Sequence, residues 1–226
     1  MPPTSLRFYF DYISPNAYIA WTQLPALAKR HGVAIEPVPV LFARLLEASG
    51  RLGPAEIPDQ MRWMWKNVLR KATLLGVPFH PPAFHPFNPL LALRVSSLPL
   101  AEASRARLIE GLFSAVWARR LHVSDPLVVK QVADEIGLDG ATLVAQADVP
   151  EAKALLRAQT MDAVDRAVFG VPTIEVGGEL FWGYDDFPHL EMFLAGKDPA
   201  RPADVREWSE PLQASAVRAR QPRSAP

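Results

Sequence analysis

A chain of 226 residues, 49% of them apolar, can bury one sizeable core, or one domain carrying a large insertion, and is too apolar for global disorder. Its 24 basic and 24 acidic side chains cancel, so it lacks the positive footprint of a nucleic-acid binder. It has no cysteine, which excludes disulfides, thiolate nucleophiles and cysteine-ligated zinc, so any thiol chemistry must use a borrowed thiol.

The first residues place Arg7 and Asp11 inside their apolar stretch, unlike a signal peptide, and no window nears the roughly 18 apolar residues of a membrane span. A soluble, cytoplasmic protein without a membrane partner is expected. Residues 6–10 are rich in aromatics and read as a strand. Ser14 followed by Pro15 reads as a helix start, and apolar residues recur at helical spacing over 16–30 until His31-Gly32 closes the helix. Residues 33–40 read as a second strand, which Pro37 and Pro39 push toward a sheet edge. Helical patterns follow at 58–75, 89–97, 101–119, 126–136 and 150–168, with an irregular loop marked by Pro78, Pro81, Pro82 and Pro86. The β pattern returns at 172–176 and 179–182 around Gly177-Gly178, a hairpin, and a last helix is expected over 186–194. Beyond Gly196 the chain is rich in Pro, Ala and Arg, with Trp208 available to dock a short stretch of it.

Two β-containing pieces thus flank a helical block. The strands of one sheet must lie together, so residues 1–42 and 166–198 are expected to form one domain, 43–165 an all-helical insertion, and 199–226 a tail. The fold class is α/β.

Three segments sit where such a fold places chemistry. At the strand-to-helix turn, the hydroxyl of Ser14 can donate to a bound thiolate and favour its charged form; the plain alternative is an ordinary N-cap. Before the next strand, Val171 precedes Pro172; a cis bond there would present the Val171 backbone to an extended peptide, while the alternative is an ordinary strand entry. Ahead of the last helix, Asp185 or Asp186 can catch a ligand ammonium or cap the helix. The histidines have no metal-binding spacing, so no metal is expected, and His80 and His85 fall in the proline-rich loop. Met61, Trp63, Met64 and Trp65 form a bulky apolar run that core and substrate can share.

Taken together, Phe8-Tyr9-Phe10-Asp11-Tyr12-Ile13-Ser14-Pro15, Phe169-Gly170-Val171-Pro172-Thr173 and Phe181-Trp182-Gly183-x-Asp185 closely resemble the 2-hydroxychromene-2-carboxylate isomerase family, of the DsbA-like, kappa-class glutathione transferase group. Leu41-Phe42-Ala43, Gly53-Pro54-Ala55-Glu56-Ile57-Pro58 and Phe87-Asn88-Pro89 also look like family segments. The resemblance implies a thioredoxin-like fold with a large inserted helical domain, and glutathione as cofactor. It implies Ser14 at the glutathione sulfur, Val171 and cis-Pro172 along its peptide, and Tyr184 and Asp185 at its γ-glutamyl end. It implies a small aromatic substrate held by Arg44, Arg51, Phe84 and Asn88, and a homodimer. The implied reaction is glutathione-dependent cis–trans isomerisation of a 2-hydroxychromene-2-carboxylate-like intermediate of aromatic catabolism. The rival expectations are a kappa-type transferase that keeps the conjugate and a non-catalytic thioredoxin-fold binding protein.

Overall fold

The computed structural model describes residues 3–200 and Val205. Strand β1 (Ser5–Phe10) leads through a turn into helix α1 (Pro15–His31). Ser14 caps α1 with an extended backbone, its hydroxyl accepting the Ala17 N–H, and Pro15 takes the first position, where a missing N–H costs nothing. Lys29, Arg30 and His31 sit in its last turn, where the helix dipole favours cations, and Gly32 ends it at φ 66°. Strand β2 (Ala34–Pro39) then pairs with β1 in parallel, Ser5 opposite Ala34 and Phe10 opposite Pro39.

Seven helices separate β2 from the next strand: α2 (Phe42–Ser49), α3 (Pro58–Leu75), α4 (Leu90–Ser97), α5 (Glu102–Trp117), α6 (Pro126–Glu135), α7 (Gly140–Ala147) and α8 (Pro150–Asp165), with a one-turn 3-10 helix at Pro54–Glu56. Five of them fall where the helical patterns lie, α3 with the same bounds and the others shorter by up to a few residues; α2 and α7 have no counterpart among those patterns. The hairpin follows as β3 (Thr173–Val176) and β4 (Glu179–Trp182), then a 3-10 turn (Tyr184–Asp186) and α9 (Phe187–Leu194). The turn residues Gly177 and Gly178 both adopt positive φ, as a two-residue hairpin turn of the primed type requires. Sheet order is β2-β1-β3-β4, with β3 antiparallel to β1, so the proline-bearing β2 is indeed an edge strand. This is a thioredoxin-type mixed sheet interrupted by helices. The placing of Trp208 and most of the tail fall outside the described residues. No helix among the described residues is long and apolar enough to cross a membrane.

Strand alternation decides what lies on each face of the sheet. Leu6, Phe8 and Phe10 point one way, into a core shared with α1 and the helices that follow β2. Phe8 stacks on Phe10 at 5.7 Å and meets Trp21 of α1 at 5.5 Å; Phe10 meets Phe113 of α5 at 5.5 Å. Full burial of each such ring contributes about 1.5–3 kcal/mol. Tyr9 points the other way, into a smaller cluster with Val38, Val40, Leu45 of α2, Ala163 of α8, Val168 and Val171. Its hydroxyl donates to Glu175 Oε2 at 2.6 Å. Helices therefore cover both faces, and the open end of β1 is where the chain turns toward Ser14.

Candidate functional site

The turn after β1 is held from below and from both sides. Asp11 is buried; its Oδ1 accepts the Ile13 N–H at 3.0 Å and its Oδ2 the Phe42 N–H, at the start of α2, also at 3.0 Å. Burial pushes this carboxyl up to about 7, against the two N–H donors that favour its charge. Tyr12, also buried, shares a 2.6 Å hydrogen bond with Ser96 of α4, and its carbonyl accepts the Trp117 indole N–H at 3.0 Å. His85 completes the frame. Its Nε2 lies 2.9 Å from the Ile13 carbonyl, which only accepts, so Nε2 carries the proton. Desolvation lowers its pKa, and the ring packs against Trp65 and Trp117 at 5.0 and 5.9 Å. The neutral imidazole thus fixes the residue just before Ser14.

Ser14 and Val171 lie side by side although 157 positions apart. The Ser14 hydroxyl donates to the Val171 carbonyl at 3.3 Å and accepts the Ala17 N–H at 3.2 Å. The Val171–Pro172 bond is cis. The Pro172 carbonyl accepts the Gly183 N–H at 2.9 Å, tying this loop to the end of β4, and Thr173 Oγ1 donates to the Gly170 carbonyl at 2.8 Å. Because α1 has no acidic residue in its first turn, its positive end at Ser14 is uncompensated there and favours an anion.

The two aspartates after β4 divide their work. Asp186 turns inward, its Oδ2 accepting the Trp182 N–H at 2.7 Å and its Oδ1 lying 3.2 Å from His189 Nδ1. Asp185 instead presents a carboxylate that is 71% exposed and pairs with Lys71 Nζ of α3 at 2.6 Å. The same ammonium lies 3.3 Å from Asn16 Oδ1, in the first turn of α1. Ser14, Val171, Pro172 and Asp185 are thereby linked through α1 and β4, with Tyr184 next to Asp185 packing on Phe187 at 5.0 Å.

The four substrate-side candidates are scattered. Arg51 places its guanidinium over the rings of Phe169 and Trp182, at 5.5 and 5.9 Å, beside the Gly170-Val171 loop. Arg44 is paired with Glu47 at 2.5 Å on the surface of α2. Phe84 is 68% exposed, its ring 5.6 Å from His122. Asn88 Oδ1 accepts the Leu90 N–H at the start of α4. The apolar run on α3 splits as its helical spacing requires: Met64 is buried, Trp65 joins the aromatic frame under His85, and Trp63 faces outward. No three His, Cys, Asp or Glu side chains among the described residues are placed to hold a metal.

Gly170 leaves room for the Trp182 ring, since a Cβ there would lie 2.7 Å from the indole Nε1. Gly170→Ala is therefore expected to displace a half-exposed ring rather than backbone, costing about 1 kcal/mol and lowering the melting temperature by about 2–4 °C. Thermal denaturation with tryptophan fluorescence checks this; an unchanged spectrum and midpoint would contradict it.

Lys71 carries no signal in the sequence for its place beside Asp185 and Asn16. It lies 114 positions from Asp185 and 55 from Asn16, and a lysine on a helix carries no local sign of where its ammonium ends.

The DSBA-like thioredoxin domain model matches residues 5–195. The chain is 30% identical over 194 residues to the 2-hydroxychromene-2-carboxylate isomerase of Sphingobium xenophagum, covering 84% of this chain and 97% of that protein. It is 27% identical over 205 residues to glutathione S-transferase kappa 2 of Caenorhabditis elegans, covering 84% of this chain and 91% of that one. A solved structure of 2-hydroxychromene-2-carboxylate isomerase superposes with a TM-score of 0.78 at 27% identity, over 91% of this chain and 100% of the other.

Proposed function

This chain belongs to the DSBA-like thioredoxin family, in the branch that holds the 2-hydroxychromene-2-carboxylate isomerases, and on that footing we propose that it binds reduced glutathione along Ser14, Val171 and Asp185 and isomerises a 2-hydroxychromene-2-carboxylate-like compound with it. The observation that carries this reading is the Ser14 hydroxyl, hydrogen-bonded to the carbonyl before cis-Pro172 at the positive end of α1, in a chain with no cysteine. A turn arranged to receive sulfur has none of its own. The residues present fit a γ-glutamyl tripeptide: an O–H donor for a thiolate, backbone beside Pro172 for an added strand, and an exposed carboxylate for an ammonium.

When bound, glutathione supplies a thiolate that adds reversibly to a conjugated double bond, so that rotation can occur before the sulfur leaves again. Ser14 donates to that sulfur and holds it in its charged form, helped by the α1 N-terminus. Val171 and Pro172 orient the tripeptide backbone, and Tyr184 and Asp185 anchor its far end. Of the substrate-side candidates, Arg51 offers a guanidinium beside the Val171 loop for a substrate carboxylate, and Phe84 offers an exposed ring for an aromatic body. Arg44 and Asn88 would have to leave Glu47 and the Leu90 N–H to take part.

The likeness to a kappa-class transferase supports a second reading, in which the conjugate is released as product. Calorimetry with reduced glutathione, followed by a spectrophotometric assay on 2-hydroxychromene-2-carboxylate, tests both. Saturable binding, turnover that requires glutathione, and full recovery of the free thiol are expected. A stable thioether would favour the transferase instead, and no heat of binding at millimolar glutathione would remove the proposal altogether.

A further inference from the structure

The peptide groups of the turn that carries Ser14 are held from several parts of the molecule. The Tyr12 carbonyl accepts from the Trp117 indole, the Ile13 N–H donates to Asp11 Oδ1, and the Ser14 N–H donates to the Asp11 carbonyl at 3.1 Å. The Ile13 carbonyl is taken by His85 Nε2 at 2.9 Å, from 72 positions away. That carbonyl and the Ser14 N–H belong to one planar peptide unit. His85 therefore holds one side of the plane from which the Ser14 side chain hangs, and Asp11 holds the other. Tilting the plane turns the φ of Ser14, set at −92°, and swings its hydroxyl away from the Val171 carbonyl and the end of α1.

Packing does not explain why this residue is a histidine. Its ring lies among Trp65, Trp117 and Phe87, at 5.0, 5.9 and 6.3 Å, a place that any apolar ring of that size could fill. Its Nδ1 is buried and finds no hydrogen-bond partner among the described residues, which costs about 1–3 kcal/mol. Phenylalanine would remove that cost and leave the Ile13 carbonyl unpaired at a similar one, so stability does not decide between them. What the imidazole adds is one directed N–H. We infer that His85 is a positioning residue for the chemistry at Ser14: its Nε2–H, bound to the Ile13 carbonyl, sets the peptide plane that aims the Ser14 hydroxyl at a ligand sulfur. This rests on the glutathione reading above and adds to it a residue that acts only through Ser14. Nε2 carries a proton whether the ring is neutral or charged, so His85 acts here as a fixed donor and not as a general acid or base.

The test compares His85→Phe, which keeps a ring and removes the donor, with His85→Gln, whose side-chain N–H reaches about as far as Nε2. Melting temperatures of the chain alone are expected to move by no more than about 2–4 °C in either variant. With glutathione bound, ultraviolet titration should show the thiol pKa raised by about one in His85→Phe. Turnover of 2-hydroxychromene-2-carboxylate at saturating concentrations and a pH below that pKa should fall about tenfold, since the same fraction of thiolate is lost. The glutathione dissociation constant, measured by calorimetry where the bound thiol is protonated, should stay within about twofold. His85→Gln should recover most of both losses. In a Ser14→Ala chain, His85→Phe should cost nothing further, because its route is gone. Additive losses in the double variant, or an unchanged thiol pKa in His85→Phe, overturn the inference and leave the glutathione reading standing. So does a proton on Nδ1 in place of Nε2 in the wild-type chain without glutathione, read from the nitrogen chemical shifts of the ring, a measurement that depends on no variant folding. A wild-type chain that binds no glutathione overturns the glutathione reading and this inference with it.

Discussion

Ser14→Ala is expected to lower turnover of 2-hydroxychromene-2-carboxylate on the order of 10²-fold, the loss typical when one preorganised donor to a developing anion is removed. That factor corresponds to about 2.7 kcal/mol of transition-state stabilisation. The hydroxyl has one proton, which it gives to the Val171 carbonyl at 3.3 Å, long for an O–H···O bond. Turning that proton onto a ligand sulfur therefore gives up little. Alanine removes the donor but leaves the α1 N-terminus, so part of the thiolate stabilisation survives and the loss stays well short of total. The same substitution removes the acceptor for the Ala17 N–H, an N-cap worth about 1 kcal/mol, so the melting temperature should also fall by about 2–4 °C. Two measurements separate the roles. Steady-state turnover well below the melting transition reads the chemical part, and ultraviolet titration of the bound thiol should show its apparent pKa rising. Turnover within about twofold of the wild-type value, together with the same small drop in melting temperature, would leave Ser14 as a helix cap and nothing more.

The parts of this molecule legible in its sequence are those whose signals are local. Ser14-Pro15 announces the start of α1 because cap and first-turn proline act within four residues, and Gly177-Gly178 announces the hairpin because only such residues adopt two successive positive φ angles cheaply. Helix α2 was missed because its cap is remote: the Phe42 N–H is satisfied by Asp11, 31 positions earlier, and Leu41 contributes no side-chain oxygen. Helix α7 carries a readable signal, Asp139 accepting the Thr142 N–H, but at eight residues it is too short for an apolar period to stand out. In the site, the meeting of Ser14 with Val171 was accessible only through family likeness, since no local rule joins residues 157 positions apart. Lys71 was accessible through neither route. Asp11 shows the same limit from another side: within Phe8-Tyr9-Phe10-Asp11-Tyr12 it looks like a strand end, and only the structure puts it under the turn, bonded forward to Ile13 and across to α2.

That position makes Asp11 the group whose removal should cost most in stability. Asp11→Ala leaves the N–H groups of Ile13 and Phe42 without their acceptor, each a loss of about 1–3 kcal/mol, partly offset because a desolvated carboxyl also disappears. A net loss of a few kcal/mol is expected, read as a lower urea midpoint with little change in slope. The pH dependence is sharper. The carboxyl is raised from 3.8 to about 7 in the folded chain, so between those values the folded state binds more protons than the unfolded one. Its contribution to stability must then fall as pH rises through that window, by about 1.4 kcal/mol per pH unit at most, and is flat above it. The lowered pKa of His85 acts with the opposite sign and equally in the wild-type and Asp11-substituted chains. Exposed carboxylates such as Asp134 and Glu135 are shifted downward by their partners and act below this range, so they do not imitate the effect. In Asp11→Asn the proton is gone from the balance: one acceptor remains, one amide group faces an N–H, and the variant is destabilised by an amount that no longer tracks the wild-type slope. Urea midpoints of both chains at about pH 5 and about pH 7.5 should therefore converge as pH rises, because only the wild-type chain carries the Asp11 loss while the His85 contribution is common to both. A gap that stays constant across the window would mean that Asp11 is already ionised at the lower pH, its two N–H donors outweighing burial. The loss seen in Asp11→Ala would then be assigned to the broken link between Ser14's turn and α2 alone.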